Sequence, residues 1–264
     1  MLTIKMKRLI IALLSLVAFQ TALAEKPSSN WMTFYYKNPT PDKFVEEVRS
    51  LTKAGMLKDE NAQAPILAFL SQVMAANHKK IPDWLEAFSD LDKDQSRVLL
   101  AAAWYSDTDE ARAYLEKHKV DDFLKSKAPK ILEMDVTNPS ILDMLWGYFT
   151  ATGSEEPIRR IVSAFSLSKY SGAIGRYKTS EKTEQDKKEA YMEATFQAAQ
   201  WSLEANGRQH ALVLKHCETI FADPNLPKDQ SLWLAVILSK LKPEKYGIDI
   251  DKNKGEQEGE DKHK

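Results

Sequence analysis

Apolar residues recur along most of the chain at intervals of three and four positions. This spacing places them on one face of an α-helix, whereas the strict alternation typical of a half-buried strand is nearly absent. The pattern therefore predicts an all-α protein. Its clearest instances are four groups: Ile66, Phe69, Leu70, Val73 and Met74; Val98, Leu99, Ala102 and Tyr105; Leu142, Leu145, Trp146 and Phe149; and Leu232, Ala235, Val236, Ser239 and Leu241.

Capping residues and prolines mark the predicted helix ends. Thr40 precedes Pro41 and Asp42, an order typical of an N-cap, a first-turn proline and an acid that complements the helix dipole. Asn138 before Pro139 predicts a second helix start. The remaining signals are stops at Gly55 and Asn77, a short helix starting at 81–84, and a break at 223–227.

Turn signals recur at intervals of about fifty residues, which is typical of helical hairpins packed side by side. They lie near Gly55, at 106–109, at 153–154 and at 206–207. We therefore expect residues 25–245 to form an irregular stack of antiparallel helical hairpins. Two segments lack an apolar face. The segment 169–188 is predicted to be a loop, or else the early start, near Thr183, of the helix that follows. The chain from about Lys242 is too polar to fold, and we place the disordered tail at 246–264.

Three residues occupy positions that resemble those of a known repeat motif. Gly153 occupies the place of the helix–turn glycine in tetratricopeptide repeats, and Ala111 and Leu115 match the small and large positions of that motif's second helix. The family's first-helix pattern and closing proline are not reproduced in phase. The resemblance covers about half of the chain and implies a solenoid-like stack. The stretch 138–149 is also similar to uncharacterised small exported bacterial proteins.

The first 24 residues resemble a secretory signal peptide. Lys5, Lys7 and Arg8 precede an apolar run at 9–19, and Ala22-Leu23-Ala24 supplies a small-x-small cleavage pattern. Because a membrane-spanning helix needs about twenty apolar residues, this run favours cleavage after Ala24. An uncleaved N-terminal anchor is the alternative. We expect a periplasmic or secreted protein.

Composition narrows the function classes. The chain has 37 basic and 38 acidic residues, and removing the three basic residues of the leader leaves 34 and 38, a net charge of about −4. The two signs are mixed, so the basic stripe needed to bind nucleic acid is missing. No second apolar run has membrane length, and we expect a monomer without a membrane span after cleavage. A single cysteine, Cys217, cannot form an internal disulfide.

Candidate metal and cofactor motifs are incomplete. His210, His216 and Cys217 are predicted to lie on one helix, but their spacing does not match the three or four residues of a helical metal pair. Cys217 is more consistent with a small buried side chain. The triads Asp90-x-Asp92-x-Asp94 and Asp249-x-Asp251-x-Asn253 resemble calcium loops that lack the required glycine position. The acids of the first triad are more consistent with capping and starting the helix that follows. Residues 172–177 contain two glycines without the rest of a phosphate loop. We expect no metal, no cofactor and no catalytic residue.

An aromatic stretch is the best candidate for a binding site. Between Asn30 and Phe44 the chain carries one Trp, two Phe and two Tyr. The candidate residues are Trp31, Phe34, Tyr35 and Tyr36. They either bind a partner, since Trp and Tyr are enriched at binding hot spots, or cover the open end of the first hairpin. In the second case Tyr35 or Tyr36 would pack on Phe44 or Val45. We favour the covering role.

Stacked helices present extended concave surfaces. We therefore expect an exported protein that binds a protein or peptide partner in the bacterial envelope, without catalysis. Two alternatives stay open. An envelope enzyme acting on cell-wall material would need acids that converge from two helices. A secreted factor acting on other cells would be found in the culture supernatant.

Overall fold

The computed structural model describes residues 31–179 and 183–247, and over these ranges the protein is all-α without a strand. The predicted fold class is thus confirmed, while its arrangement as an irregular stack of antiparallel helical hairpins stays a prediction. Within the same ranges, no helix combines the length and the apolar character needed to cross a membrane. The predicted leader at 1–24 and the calcium-like triad at 249–253 lie outside the described residues.

The first half of the structure packs its helices around one hydrophobic core. Residues 31–33 are helical, and short 3-10 turns occur at Tyr35–Lys37, Pro41–Lys43, Met56–Lys58 and His78–Lys80. The α-helices are α1 (Phe44–Lys53), α2 (Glu60–Ala76), α3 (Ile81–Glu86), α4 (Lys93–Tyr105), α5 (Asp109–Lys117) and α6 (Asp121–Leu124). The core contains Trp31, Phe44, Leu51, Ile66, Phe69, Val73, Trp84, Phe88 and Leu99. Phe44 stacks on Trp84 with ring centres 4.0 Å apart.

Two side-chain contacts show the direction of α4. Lys58, just before α2, pairs with Asp92, the N-cap of α4, at 2.6 Å. His78, just after α2, pairs with Glu110 in the first turn of α5 at 2.6 Å. Helices α2 and α4 therefore run in the same direction, and the turn that follows α4 lies at the same end of the molecule as the end of α2.

The second half has its own core. A 3-10 turn at Ile131–Glu133 leads to α7 (Pro139–Thr152) and α8 (Glu156–Ser163), and a further 3-10 turn spans Ala164–Tyr170. Then follow α9 (Ala173–Thr179), α10 (Glu184–Gln209), α11 (Ala211–Phe221), α12 (Lys228–Leu241) and α13 (Pro243–Tyr246). The core includes Leu142, Leu145, Phe149, Ile161, Phe165, Phe196, Leu203, Cys217 and Leu238.

Helices α2 and α7 join the two halves at a close crossing. A Cβ atom added to Gly147 of α7 would lie 2.9 Å from the carbonyl carbon and 3.0 Å from Cα of Pro65 in α2. Only glycine lets the two backbones approach this closely. The neighbours Ala68 and Phe69 belong to different cores, so α2 contributes to both.

Local capping signals predicted several helix boundaries correctly. The side chains of Asp92 and Asn138 accept hydrogen bonds from backbone N–H groups in the first turns of α4 and α7. Gly153 ends α7 in the left-handed conformation, as expected of a C-terminal glycine. Thr183 and Asp186 form a capping box. The helical alternative for the end of segment 169–188 is therefore the correct one.

Two predictions of helix ends were wrong. The Asn206–Gly207 pair does not form a turn, because α10 continues to Gln209 and Gly207 instead gives room to Leu241. Thr40 makes no side-chain cap: its hydroxyl accepts a hydrogen bond from Nε1 of Trp31 at 3.1 Å.

Disorder does not begin at Lys242 either. The side chains of Lys242, Lys245 and Tyr246 all bind the Glu218 carboxylate, at distances of 3.0 to 3.2 Å. These contacts fold α13 back onto α11, so local composition misplaced the start of the tail. The predicted tail beyond residue 247 lies outside the described residues.

Candidate functional site

The predicted aromatic site divides between interior and surface. Trp31 and Tyr35 are buried in the first core, where both rings pack edge-on against Phe69 with centres 5.0 and 5.3 Å away. Burial raises the pKa of Tyr35 to about 12, and the charge of Asp42 acts in the same direction. These two rings therefore contribute to packing, and in this structure they offer almost no surface to a partner.

Phe34 and Tyr36 remain partly exposed and contact the second half of the chain. The Tyr36 hydroxyl is hydrogen-bonded to Nδ1 of His210 at 3.1 Å, and its ring lies 5.1 Å from Phe149. Phe34 lies 5.0 Å from His210, with the Lys37 ammonium 4.5 Å from the Phe34 ring centre. The proposed packing of Tyr36 on Phe44 or Val45 is therefore incorrect. The stretch from Trp31 to Tyr36 bridges the two cores instead.

The histidines and the cysteine considered as ligands or nucleophiles have structural contacts. His210 links α10 to α11, so it does not lie within one helix with His216 and Cys217. Burial lowers the pKa of His210 to about 4, helped by the charge of Lys37, and this keeps the ring neutral at physiological pH. His216 Nε2 lies 2.9 Å from the backbone oxygen of Gly153. Cys217 is fully buried, and burial raises its pKa to about 12, which disfavours the reactive thiolate.

The acids of the first calcium-like triad are engaged with the chain itself. Asp90 forms a two-pronged ion pair with Arg49, and Asp92 caps α4 while pairing with Lys58. These bonds lower the pKa of both carboxyl groups. Over residues 31–179 and 183–247, no group of three or more His, Cys, Asp or Glu residues is arranged to hold a metal ion.

The glycine pair at 172–175 lies at the start of α9. The buried Glu193 carboxylate of α10 accepts hydrogen bonds from the backbone N–H groups of Gly172 and Ile174, at 2.9 and 2.6 Å. The N–H groups that a phosphate loop would offer to a ligand are therefore occupied by an acid of the same chain. Glu193 thus anchors α9 on α10.

A groove of about 370 Å³ lies where α4 ends and α5 begins. We call it the Trp104 groove. Its apolar surface comes from Trp104, Leu115, Phe123 and Leu124, with alanines at 103, 111 and 128. Its polar rim consists of Asp107, Thr108, Asp109, Arg112 and Lys127. The volume lies within the range of about 300–1,000 Å³ that is usual for ligand pockets.

The aromatic wall of the Trp104 groove consists of Trp104 and Phe123, and a hydrogen bond holds Trp104 in place. The indole Nε1 of Trp104 donates to the backbone oxygen of Ser126 at 3.2 Å, which ties α4 to the segment after α6. The Trp104 and Phe123 rings face each other at an angle of 43°, with centres 5.6 Å apart. Both side chains are partly exposed, so the wall is formed before any ligand arrives.

Helix α5 is flanked at both ends by residues with a left-handed backbone conformation. Asp107 precedes it with φ 49° and Lys119 follows it with φ 55°, a conformation that costs a non-glycine residue about 1–2 kcal/mol. The Thr108 hydroxyl caps the helix by accepting from the N–H of Ala111 at 3.3 Å. Backbone strain of this kind is often found beside binding surfaces.

Charged side chains of both signs lie in and beside the groove. The Arg97 guanidinium lies 5.7 Å from the centre of the Phe123 ring. The Lys125 ammonium donates to Asp122 at 3.1 Å and lowers the pKa of that carboxyl group, and the charges of Arg97 and Lys93 lower it further. The side chains of Arg112 and Lys127 are exposed and form no hydrogen bond or ion pair with any residue in the described part of the chain.

Sequence reasoning missed this groove. A weak signal was present: Phe123 lies within a run of five lysines between 117 and 130, and the aromatic pair at 104–105 precedes that run. The run by itself resembles an ordinary solvated surface. The turn after α4 lies where the turn signal at 106–109 predicts it. The fold of the segment after α6, which brings Phe123 to Trp104, does not follow from residue spacing.

Comparisons of the chain with protein-family models, with curated proteins and with solved structures found no match. The tetratricopeptide resemblance therefore stays a prediction. The function has to be argued from the geometry of the chain itself.

Proposed function

We propose that the protein binds a short segment of a protein or peptide partner in the Trp104 groove, and that it does so in the bacterial envelope after export. The observation that carries the proposal is a groove in which aromatic rings lie beside two cations, Arg112 and Lys127, that form no ion pair within the described residues. Binding hot spots are enriched in Trp, Tyr and Arg. The location in the envelope rests on the signal-like pattern that ends at Ala24.

The size of the groove favours a segment over a flat protein surface. A stable protein–protein interface buries about 1,600 Å² in total, spread over twenty to thirty residues on each side. The Trp104 groove is lined by twelve residues and takes only a few side chains. A segment that is flexible before it binds would lose conformational entropy, which lowers its affinity. We therefore expect affinities in the micromolar range.

A groove-filling variant tests the proposal. Ala128 lines the groove and is partly exposed, so Ala128→Trp should fill the groove without disturbing a core. The matched control is Ala76→Trp, at an exposed position near the end of α2 outside the groove lining. A random displayed-peptide library is selected on the wild-type chain, and the enriched peptides are then measured against both variants.

We expect the selected peptides to bind wild type and Ala76→Trp equally, and Ala128→Trp at least tenfold more weakly. Peptides that bind Ala128→Trp as tightly as wild type would place binding elsewhere and refute the assignment to the groove. Failure to enrich any peptide above the level of a blank surface would count against peptide binding altogether.

A further inference from the structure

The cations of the Trp104 groove indicate the charge of its occupant. Arg112 and Lys127 take part in no ion pair within the described residues. Both side chains line the groove. A guanidinium binds a carboxylate through two parallel hydrogen bonds, which is the strongest arrangement it can form. Arg112 and Lys127 are therefore available to bind a carboxylate.

The acids of the rim limit how much negative charge can enter. Asp109 lies in the first turn of α5, where the helix dipole stabilises an anion, and Asp107 lies two residues earlier. Neither acid forms an ion pair within the described residues. Their presence would repel a polyanion such as a nucleic acid or an anionic membrane surface. A single carboxylate matches the rim better.

The wall of the groove requires an apolar group beside that carboxylate. Trp104 and Phe123 present partly exposed rings, and Leu115, which lines the same groove, is almost fully buried at 1% exposure. An aromatic or large aliphatic side chain would bury apolar area on these rings at about 25 cal/mol per Å². The cations and the rings line the same groove, so both groups must be close together in the ligand.

We propose that the occupant is a peptide segment in which a carboxylate directly neighbours a bulky apolar side chain. The carboxylate binds Arg112 and Lys127, and the apolar side chain packs on Trp104 and Phe123. This inference rests on the proposed function and specifies the chemistry of its partner.

Two labelled peptides test the inference. Both are acetylated, amidated six-residue peptides with a central Phe in a Gly/Ser background; one has Glu before the Phe and the other has Gln. Fluorescence anisotropy measures their binding to wild type, Arg112→Gln and Lys127→Gln. The control variant is Lys53→Gln, which removes an exposed positive charge outside the groove lining. Urea unfolding confirms that each variant is folded.

We expect wild type and Lys53→Gln to bind the Glu peptide about tenfold more tightly than the Gln peptide, the ratio given by one charge-assisted hydrogen bond. The ratio should fall to about one or two in Arg112→Gln and decrease less in Lys127→Gln. An unchanged ratio in both variants, a preference of wild type for Gln, or no binding of either peptide would overturn the inference.

The Ala128→Trp variant separates the two levels of the argument. If it abolishes binding of both peptides while the Glu/Gln ratio does not depend on Arg112 or Lys127, the groove binds peptides but carboxylate recognition is wrong. If both peptides bind Ala128→Trp as tightly as wild type, the proposed function itself fails.

Discussion

The crossing of α2 and α7 makes Gly147→Ala the most informative stability variant. A methyl group at this position would meet the backbone of Pro65, with carbon atoms at 2.9 and 3.0 Å. These are backbone atoms of a buried helix, which cannot rotate away as a side chain does. The two helices must therefore separate, and they carry the contact between the two cores.

The magnitude follows from two opposing effects. Replacing a helical glycine by alanine stabilises a helix by about 1 kcal/mol. Overpacking a close contact costs about 1–3 kcal/mol, with the upper end applying where nothing can move. We therefore expect Gly147→Ala to lower the free energy of unfolding by about 2 kcal/mol, measured from urea midpoints at constant m-value.

Two other helical glycines provide internal controls. A Cβ atom at Gly175 in α9 meets nothing within 4 Å, so Gly175→Ala should be neutral or stabilising by up to about 1 kcal/mol. A Cβ atom at Gly207 meets the end of the Leu241 side chain at 2.5 Å. Because that side chain can adjust, Gly207→Ala should fall between the other two variants. Equal or greater stability of Gly147→Ala relative to wild type would refute the close crossing.

Three further predictions concern other parts of the chain. Trp31→Ala should destabilise the protein by about 3 kcal/mol and Phe34→Ala by clearly less, because only Trp31 is buried; equal urea midpoints for the two variants would contradict this. Burial raises the pKa of Asp143 to about 7 from its usual 3.8, so the folded chain keeps a proton that the unfolded chain releases as pH rises from about 4 to about 7, and stability falls over that range. Asp143→Asn should remove this loss and be more stable than wild type at about pH 8. The upper limit of the gain is about 4 kcal/mol, and the actual gain should be smaller because Asp143 is partly exposed. Identical pH profiles of the two proteins in urea unfolding would show the carboxyl group to be unperturbed. The exported protein should begin at Glu25, and an intact mass that includes the leader would exclude cleavage after Ala24.

Short-range features of the fold could be predicted from the sequence. Capping at Asn138 and Asp92 involves atoms two or three residues apart, so the residue types largely decide the outcome. The same holds for the left-handed glycine at position 153. The prediction failed where a distant group competed for a local partner. Thr40 caps no helix because the Trp31 indole donates to its hydroxyl, and the pair at 206–207 stays helical because Leu241 packs against it.

The candidate site could not be predicted in this way. The aromatic stretch at 31–36 has a conspicuous composition, but its role depends on contacts such as Tyr36 with His210, 174 residues away. The groove residues Trp104, Arg112 and Lys127 carry no motif that sets them apart from an ordinary surface.

The sequence by itself determined that the protein is helical and where several helices begin, because apolar periodicity and capping act within a few residues. Only the tertiary structure decided which surfaces remain open and which charges remain unpaired. The burial of Trp31, the crossing at Gly147 and the uncompensated Arg112 each depend on segments that meet only after the chain has folded. Binding chemistry depends on these long-range contacts, and the spacing of hydrophobic residues along the chain carries no information about them.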